Sequence, residues 1–176
     1  MRRYWRLELE GSDRRPVPEL AEELREVLQR AVARQIVADV PVAAFLSGGL
    51  DSSAVVAMMC LSGHPPVQVF TVGFSEEDRR FIGFPDDLRY ARMVAQRYGL
   101  SQVETVLRPD MVGLLPKLVW HLDEPMADPA VVPAYLMCQA AQPYTKVLLS
   151  GMGGDELFGG YRRHAAARWA NIYMRL

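Results

Sequence analysis

Residues 45–53 read Phe-Leu-Ser-Gly-Gly-Leu-Asp-Ser-Ser and follow directly on the apolar run Val40–Leu46. A short buried strand that breaks into Ser-Gly-Gly, then an acid, two hydroxyls and a helix, suits the holding of phosphates. Gly48 and Gly49 let the backbone turn tightly and bring N–H groups close to an anion. The helix starting near Asp51 points its positive end at the same place. Ser47, Ser52 and Ser53 carry hydroxyls that can donate to phosphate oxygens. Asp51 would repel a bare phosphate, so it makes most sense as a ligand of a bridging Mg²⁺. Two glycines alone would leave an ordinary strand-to-helix turn as an equal reading; the whole run favours the phosphate.

Outward from this stretch the chain alternates. Pro18 opens a helix in which Leu20, Leu24, Val27, Leu28, Ala31 and Val32 recur at helical spacing. Ser52–Leu61 is the helix after the turn, ended by Gly63. Val67–Phe74 is a strand, Ser75–Pro85 a charged loop, and Asp86 or Asp87 caps a helix to about Tyr98. Val103–Leu107 is a third strand. A helix over Asp110–Leu122 carries Leu114, Leu115, Leu118 and Val119 on its core side. Val132–Ala141 is helical and Lys146–Leu149 is the fourth strand. Strands separated by helices predict a doubly wound, mostly parallel α/β sheet with helices on both faces. Ligands in such sheets bind at the carboxyl ends of the strands, where the order reverses.

The fourth strand runs into Ser150-Gly-Met-Gly-Gly-Asp-Glu-Leu-Phe-Gly-Gly-Tyr161, a second Gly-rich turn bearing acids at Asp155 and Glu156. Two carboxylates there suit Mg²⁺ on a triphosphate. Taken alone the run is also compatible with a structural turn and a capping acid. With a strand order of 3-2-1-4 the two turns would meet, joining Asp51 and Asp155 from about a hundred positions apart.

No lysine follows the first glycines, so this is not the Walker loop. The run resembles the pyrophosphate-binding loop Ser-Gly-Gly-x-Asp-Ser of the ATP pyrophosphatase (PP-loop) superfamily. Asp39–Ser53, Phe70–Phe74, Tyr90–Ala95, Leu122–Pro125 and Leu149–Tyr161 together resemble the synthetase domain of glutamine-hydrolysing asparagine synthetases. The resemblance implies a Rossmann-like fold of the adenine nucleotide alpha hydrolase type. It implies adenylation of the aspartate side chain to β-aspartyl-AMP, amination to asparagine, and release of AMP and pyrophosphate, with ATP and Mg²⁺ required. By that resemblance Leu46 and Val72 pack around adenosine. Ser47, Gly48, Gly49, Asp51, Ser52 and Ser53 hold the pyrophosphate. Ser150 and Gly151 contact AMP, and Asp51 and Asp155 bind the metal. Asp51, Asp155 and Glu156 are the candidate catalytic residues, and Asp123–Pro133 matches the amino-acid substrate region.

Three departures qualify the expectation. No N-terminal cysteine nucleophile is present, so residues 1–17 read as a lead-in after a missing glutaminase half, supplied in cis or in trans, and 18–176 as a partial synthetase domain. The last residues fall partway through a helix, which reads as truncation. Met152 stands where relatives carry an acid or a tyrosine, and methionine cannot accept a proton. A related amidotransferase, a β-lactam-type synthetase acting on another carboxylate, and an inactive nucleotide-binding fragment therefore stay open.

Twenty basic and 21 acidic residues among 176 give no nucleic-acid or membrane signature. No apolar run is long enough to span a bilayer and no signal peptide is visible. The expectation is a cytoplasmic protein with small-molecule partners (ATP, aspartate and ammonia), for which a homodimer is compatible. Cys60 and Cys138 read as buried free thiols, Trp120 as core packing, and His64, His121 and His164 as surface or helix-end residues.

Overall fold

The structure, a computed structural model, describes residues 3, 4, 6, 13–74, 87–107, 111–128 and 130–174. The charged loop at 75–85, the capping Asp86 and Asp110, and most of the lead-in lie outside the described residues.

The elements run α1 (Val17–Gln35), β1 (Val42–Phe45), α2 (Leu50–Leu61), β2 (Val69–Phe74), α3 (Asp87–Tyr98), β3 (Gln102–Leu107), α4 (Met111–Leu122), α5 (Val131–Ala141), β4 (Val147–Leu149), α6 (Gly154–Phe158) and α7 (Arg162–Tyr173). The four strands form one sheet in the order β3-β2-β1-β4, every pair parallel, as the sequence predicts. Strand β1 is central: Ala44 sits opposite Val69 on one side and Leu149 on the other. That position explains its unbroken apolar run, because both of its faces are covered.

Alternate β1 residues feed different cores. Val42, Ala44 and Leu46 pack with Val32 of α1, Val56 and Met59 of α2, Val69 of β2, and Ala91 and Ala95 of α3. Ala43 turns to the other face, with Phe70 and Ala141 of α5. Helices therefore flank both faces, but the first core is much the larger. Two buried hydroxyls brace the strands. Thr145 Oγ1 donates to Pro41 O at 2.5 Å, and Thr71 Oγ1 accepts from Gln102 Nε2 at 2.8 Å.

Several expected core positions are open instead. Leu115 and Val119 of α4, and Leu24 and Val27 of α1, are exposed, while Leu118 and Val32 are buried. Trp120 is 75% exposed and stacks edge-on against His121 at 5.0 Å rather than in the core. Cys138 is exposed, and only Cys60 packs against the core, where burial pushes its thiol pKa up. No helix among the described residues is long and apolar enough to cross a membrane.

Candidate functional site

The turn after β1 is built by its own hydroxyls. Gly48 takes φ 83°, a left-handed value that glycine adopts without strain. Ser52, in the first turn of α2, is buried. Its Oγ lies 2.9 Å from Ser47 Oγ, accepts the Ser47 N–H at 3.2 Å and donates to Gly49 O at 3.2 Å. Gly49 N–H donates to Ser47 Oγ at 3.3 Å. Ser53 N–H makes the first helical bond, to Gly49 O at 3.1 Å. Leu46 is fully buried in the larger core and its N–H donates to Phe70 O at 2.9 Å. Its side chain thus supports the turn from beneath. Val72 on β2 is half-buried.

The turn after β4 docks against the start of α2. A Cβ at Gly151 would overlap the backbone nitrogen of Ser52, and one at Gly154 would overlap the Asp51 carboxylate. Only glycines allow so close an approach. The two motifs therefore meet, as the strand order requires. Asp155 turns its carboxylate the other way, against Gly160. Among the described residues no cluster of three or more metal-ligating side chains forms. Mg²⁺ needs fewer, because one or two carboxylates plus substrate phosphates complete its shell. The Asp51 carboxylate, held against the glycine that starts α6, has the hard oxygens this requires, whereas the Asp155 carboxylate faces Gly160, so the two do not converge on one point here.

Glu156 is engaged elsewhere. Tyr161 OH donates to Glu156 Oε1 at 2.6 Å, which lowers the carboxyl pKa and raises that of the phenol. Arg163 lies over the Tyr161 ring at 4.1 Å and His164 meets its edge at 5.6 Å. This clasp joins α6 to α7, and its signal in the sequence was only a tyrosine five positions after an acid. Met152 is 86% exposed, with its N–H donating to Ser150 Oγ at 3.0 Å. Of the expected substrate region Asp123–Pro133, residues 123–128 and Ala130 are exposed, whereas residues 131–133 already form the start of α5, with Val132 buried. Asp128 Oδ1 accepts the Ala130 N–H at 2.9 Å, just before α5. A cavity of about 720 Å³ lies apart from both motifs, lined by Lys117, Trp120, His121, Tyr135 and Cys138 among others.

A parallel sheet with two Gly-rich, acid-bearing turns meeting beyond the ends of adjacent strands defines an α/β nucleotide-binding type of fold. A profile of asparagine synthase matches residues 23–175. The chain belongs to the asparagine synthase family. It is 40% identical over 143 residues to asparagine synthetase [glutamine-hydrolyzing] 1 of Bacillus subtilis, covering 81% of this chain and 22% of that protein. It is 43% identical over 141 residues to a putative asparagine synthetase of Mycobacterium bovis, covering 80% and 21%. A putative asparagine synthetase of Methanocaldococcus jannaschii is 36% identical over 166 residues, covering 92% and 30%. The chain thus spans about a fifth to a third of the length of these relatives. In structure it is similar to a glutamine-dependent NAD⁺ synthetase from Acinetobacter baumannii solved with ADP, at TM-score 0.51 and 18% identity, covering 87% of this chain and 29% of that one. That likeness bears on the fold alone.

Proposed function

We propose that this chain is the ATP-handling part of an asparagine synthetase. It activates the side-chain carboxylate of aspartate with ATP and passes the acyl group to ammonia. The observation that carries the reading is the contact of the two turns at the start of α2, with Gly151 against Ser52 and Gly154 against Asp51. Family membership supports it.

In this reading the turn Ser47–Ser53 cradles the pyrophosphate. Ser150 and Gly151 lie along AMP, and Val72 flanks the adenosine with the main chain of Leu46. An aspartate oxygen attacks the α-phosphorus, the bond to the bridging oxygen breaks, and pyrophosphate leaves. Ammonia then attacks the acyl carbon, AMP departs with the C–O electron pair, and the nitrogen sheds a proton. The chain mainly aligns the reactants and offers backbone N–H groups to developing charge. Asp51, and Asp155 once its carboxylate turns from Gly160, would hold Mg²⁺, which when bound neutralises phosphate charge. Glu156 suits a structural acid, because Tyr161 occupies its carboxylate and favours the ionised form. Ammonia would come from a glutaminase half in cis or in trans, in the cytoplasm.

Calorimetry with Mg·ATP tests the reading. Saturable binding that Asp51→Ala weakens by about ten- to a hundredfold is expected, the equivalent of losing one charged contact. Absence of binding by the folded chain would defeat it. A second reading, with another carboxylate as acceptor, rests on Met152. Pyrophosphate release across a panel of carboxylic acids separates the two, since the first requires that aspartate give the fastest release.

A further inference from the structure

The hydroxyls of the first turn are not equivalent. Ser52 Oγ has one proton to donate and two lone pairs to accept with. In the structure all three are committed: the proton reaches Gly49 O, and the lone pairs take the Ser47 N–H and the Ser47 hydroxyl. The Ser52 side chain is also buried, with the Gly151 backbone packed against its nitrogen. Phosphate oxygens only accept, so Ser52 could reach one only by giving up its bonds inside the packed turn, to Gly49 O and to Ser47. The Ser47–Ser52 bond can reverse its donor, however. Ser52 then donates to Ser47, and Ser47 turns its proton outward. In either state the Ser52 proton stays inside the turn.

We infer that Ser52 is a positioning residue, an internal strut that shapes the turn, and that the anion is held by the N–H groups of Gly48, Leu50 and Asp51 with the hydroxyls of Ser47 and Ser53. Those three N–H groups make no hydrogen bond among the described residues, whereas those of Ser47 and Gly49 are occupied by hydroxyls. Ser53 Oγ likewise has no partner among the described residues, and its side chain is only half-buried. The strut itself is a property of the chain without ligand. The division of labour toward the anion rests on the reading of this turn as a pyrophosphate cradle.

Amide hydrogen exchange by NMR on the full 176-residue chain, with and without inorganic pyrophosphate and Mg²⁺, tests the inference. In the ligand-free protein the Ser47 and Gly49 amides should exchange about five- to tenfold more slowly than those of Gly48, Leu50 and Asp51, the protection of one hydrogen bond. This comparison needs no variant. Ser52→Ala should remove the protection at Ser47, and Ser53→Ala should leave it intact while lowering pyrophosphate affinity. Pyrophosphate should slow Gly48, Leu50 and Asp51 and leave Ser47 and Gly49 as they were. The strut is overturned if Ser47 and Gly49 exchange as fast as their neighbours, or if Ser52→Ala weakens pyrophosphate binding with exchange at Ser47 unchanged. If the wild-type chain shows the protection pattern but binds neither pyrophosphate nor Mg·ATP, the strut stands and the cradle reading falls.

Discussion

The two Gly-rich turns carry similar residues but are held in opposite ways. The first stands on the core: Leu46 beneath it is fully buried, and its serines bond to one another and to the backbone. The second reaches into solvent. Leu157 is 80% exposed, and its acids are anchored by surface contacts, Glu156 to Tyr161 and Asp155 against Gly160. The contrast teaches that a motif's composition does not determine its rigidity. The first turn gains its shape from the central strand that feeds it, whereas the second follows a strand of only three residues at the sheet edge.

The strongest way to break this contrast is to truncate the apolar residue in each turn. Leu46→Ala should cost about 2–5 kcal/mol, the range for a leucine deleted from a packed core. Leu157→Ala should stay within about 0.5 kcal/mol, as for an open surface site. Chemical denaturation of the two variants compares them directly, and equal losses would mean that both turns rest on the core. Next in size is the contact between the turns. Gly154→Val places carbon where the Asp51 carboxylate lies and should cost about 1–3 kcal/mol of overpacking, with loss of Mg·ATP binding by calorimetry. A variant that kept both stability and binding would show that the turns do not need to touch.

The smallest effect sharpens the description of the second turn. Glu156 has a lowered pKa, so the stabilising bond is complete above the ordinary value of 4.5 and fades as pH falls through the lowered one. Tyr161 has a raised pKa, so the bond is complete below the ordinary 10.0 and is lost as pH climbs through the raised one. Between those limits the clasp should be pH-independent. Tyr161→Phe should return the Glu156 carboxyl toward 4.5 in an NMR titration, while Glu156→Gln should bring phenol ionisation back toward 10.0 in an absorbance titration.

Much of this architecture was legible from the chain. The apolar run into Ser47-Gly-Gly and the run after Leu149 read as ends of parallel strands whose turns meet if the order is 3-2-1-4, and the sheet has that order. What sequence could not show was which apolar stripes are covered. Helical spacing puts Leu115 and Val119 on the core side of α4, and Trp120 reads as core packing, but spacing says nothing about whether another element packs there, and these residues are exposed. Cys138 was misplaced for the same reason. The role of Ser52 was hidden differently. Three serines in one motif are chemically alike, and only the direction of each hydroxyl separates a strut from a potential ligand. Thr145 and Tyr161 were overlooked because a single hydroxyl carries no periodic signal.

The bond from Thr145 to Pro41 joins residues 104 positions apart, and it sits where β4 begins to pair with β1. Closing so long a loop carries an entropic cost that shorter pairings, such as β1 with β2, do not face. During synthesis the first turn emerges early and its companion much later. The seat between them cannot exist until the edge strand has zipped into place. A ligand held by both turns would therefore select only chains that have completed their longest-range pairing, and its binding would act as a checkpoint on folding.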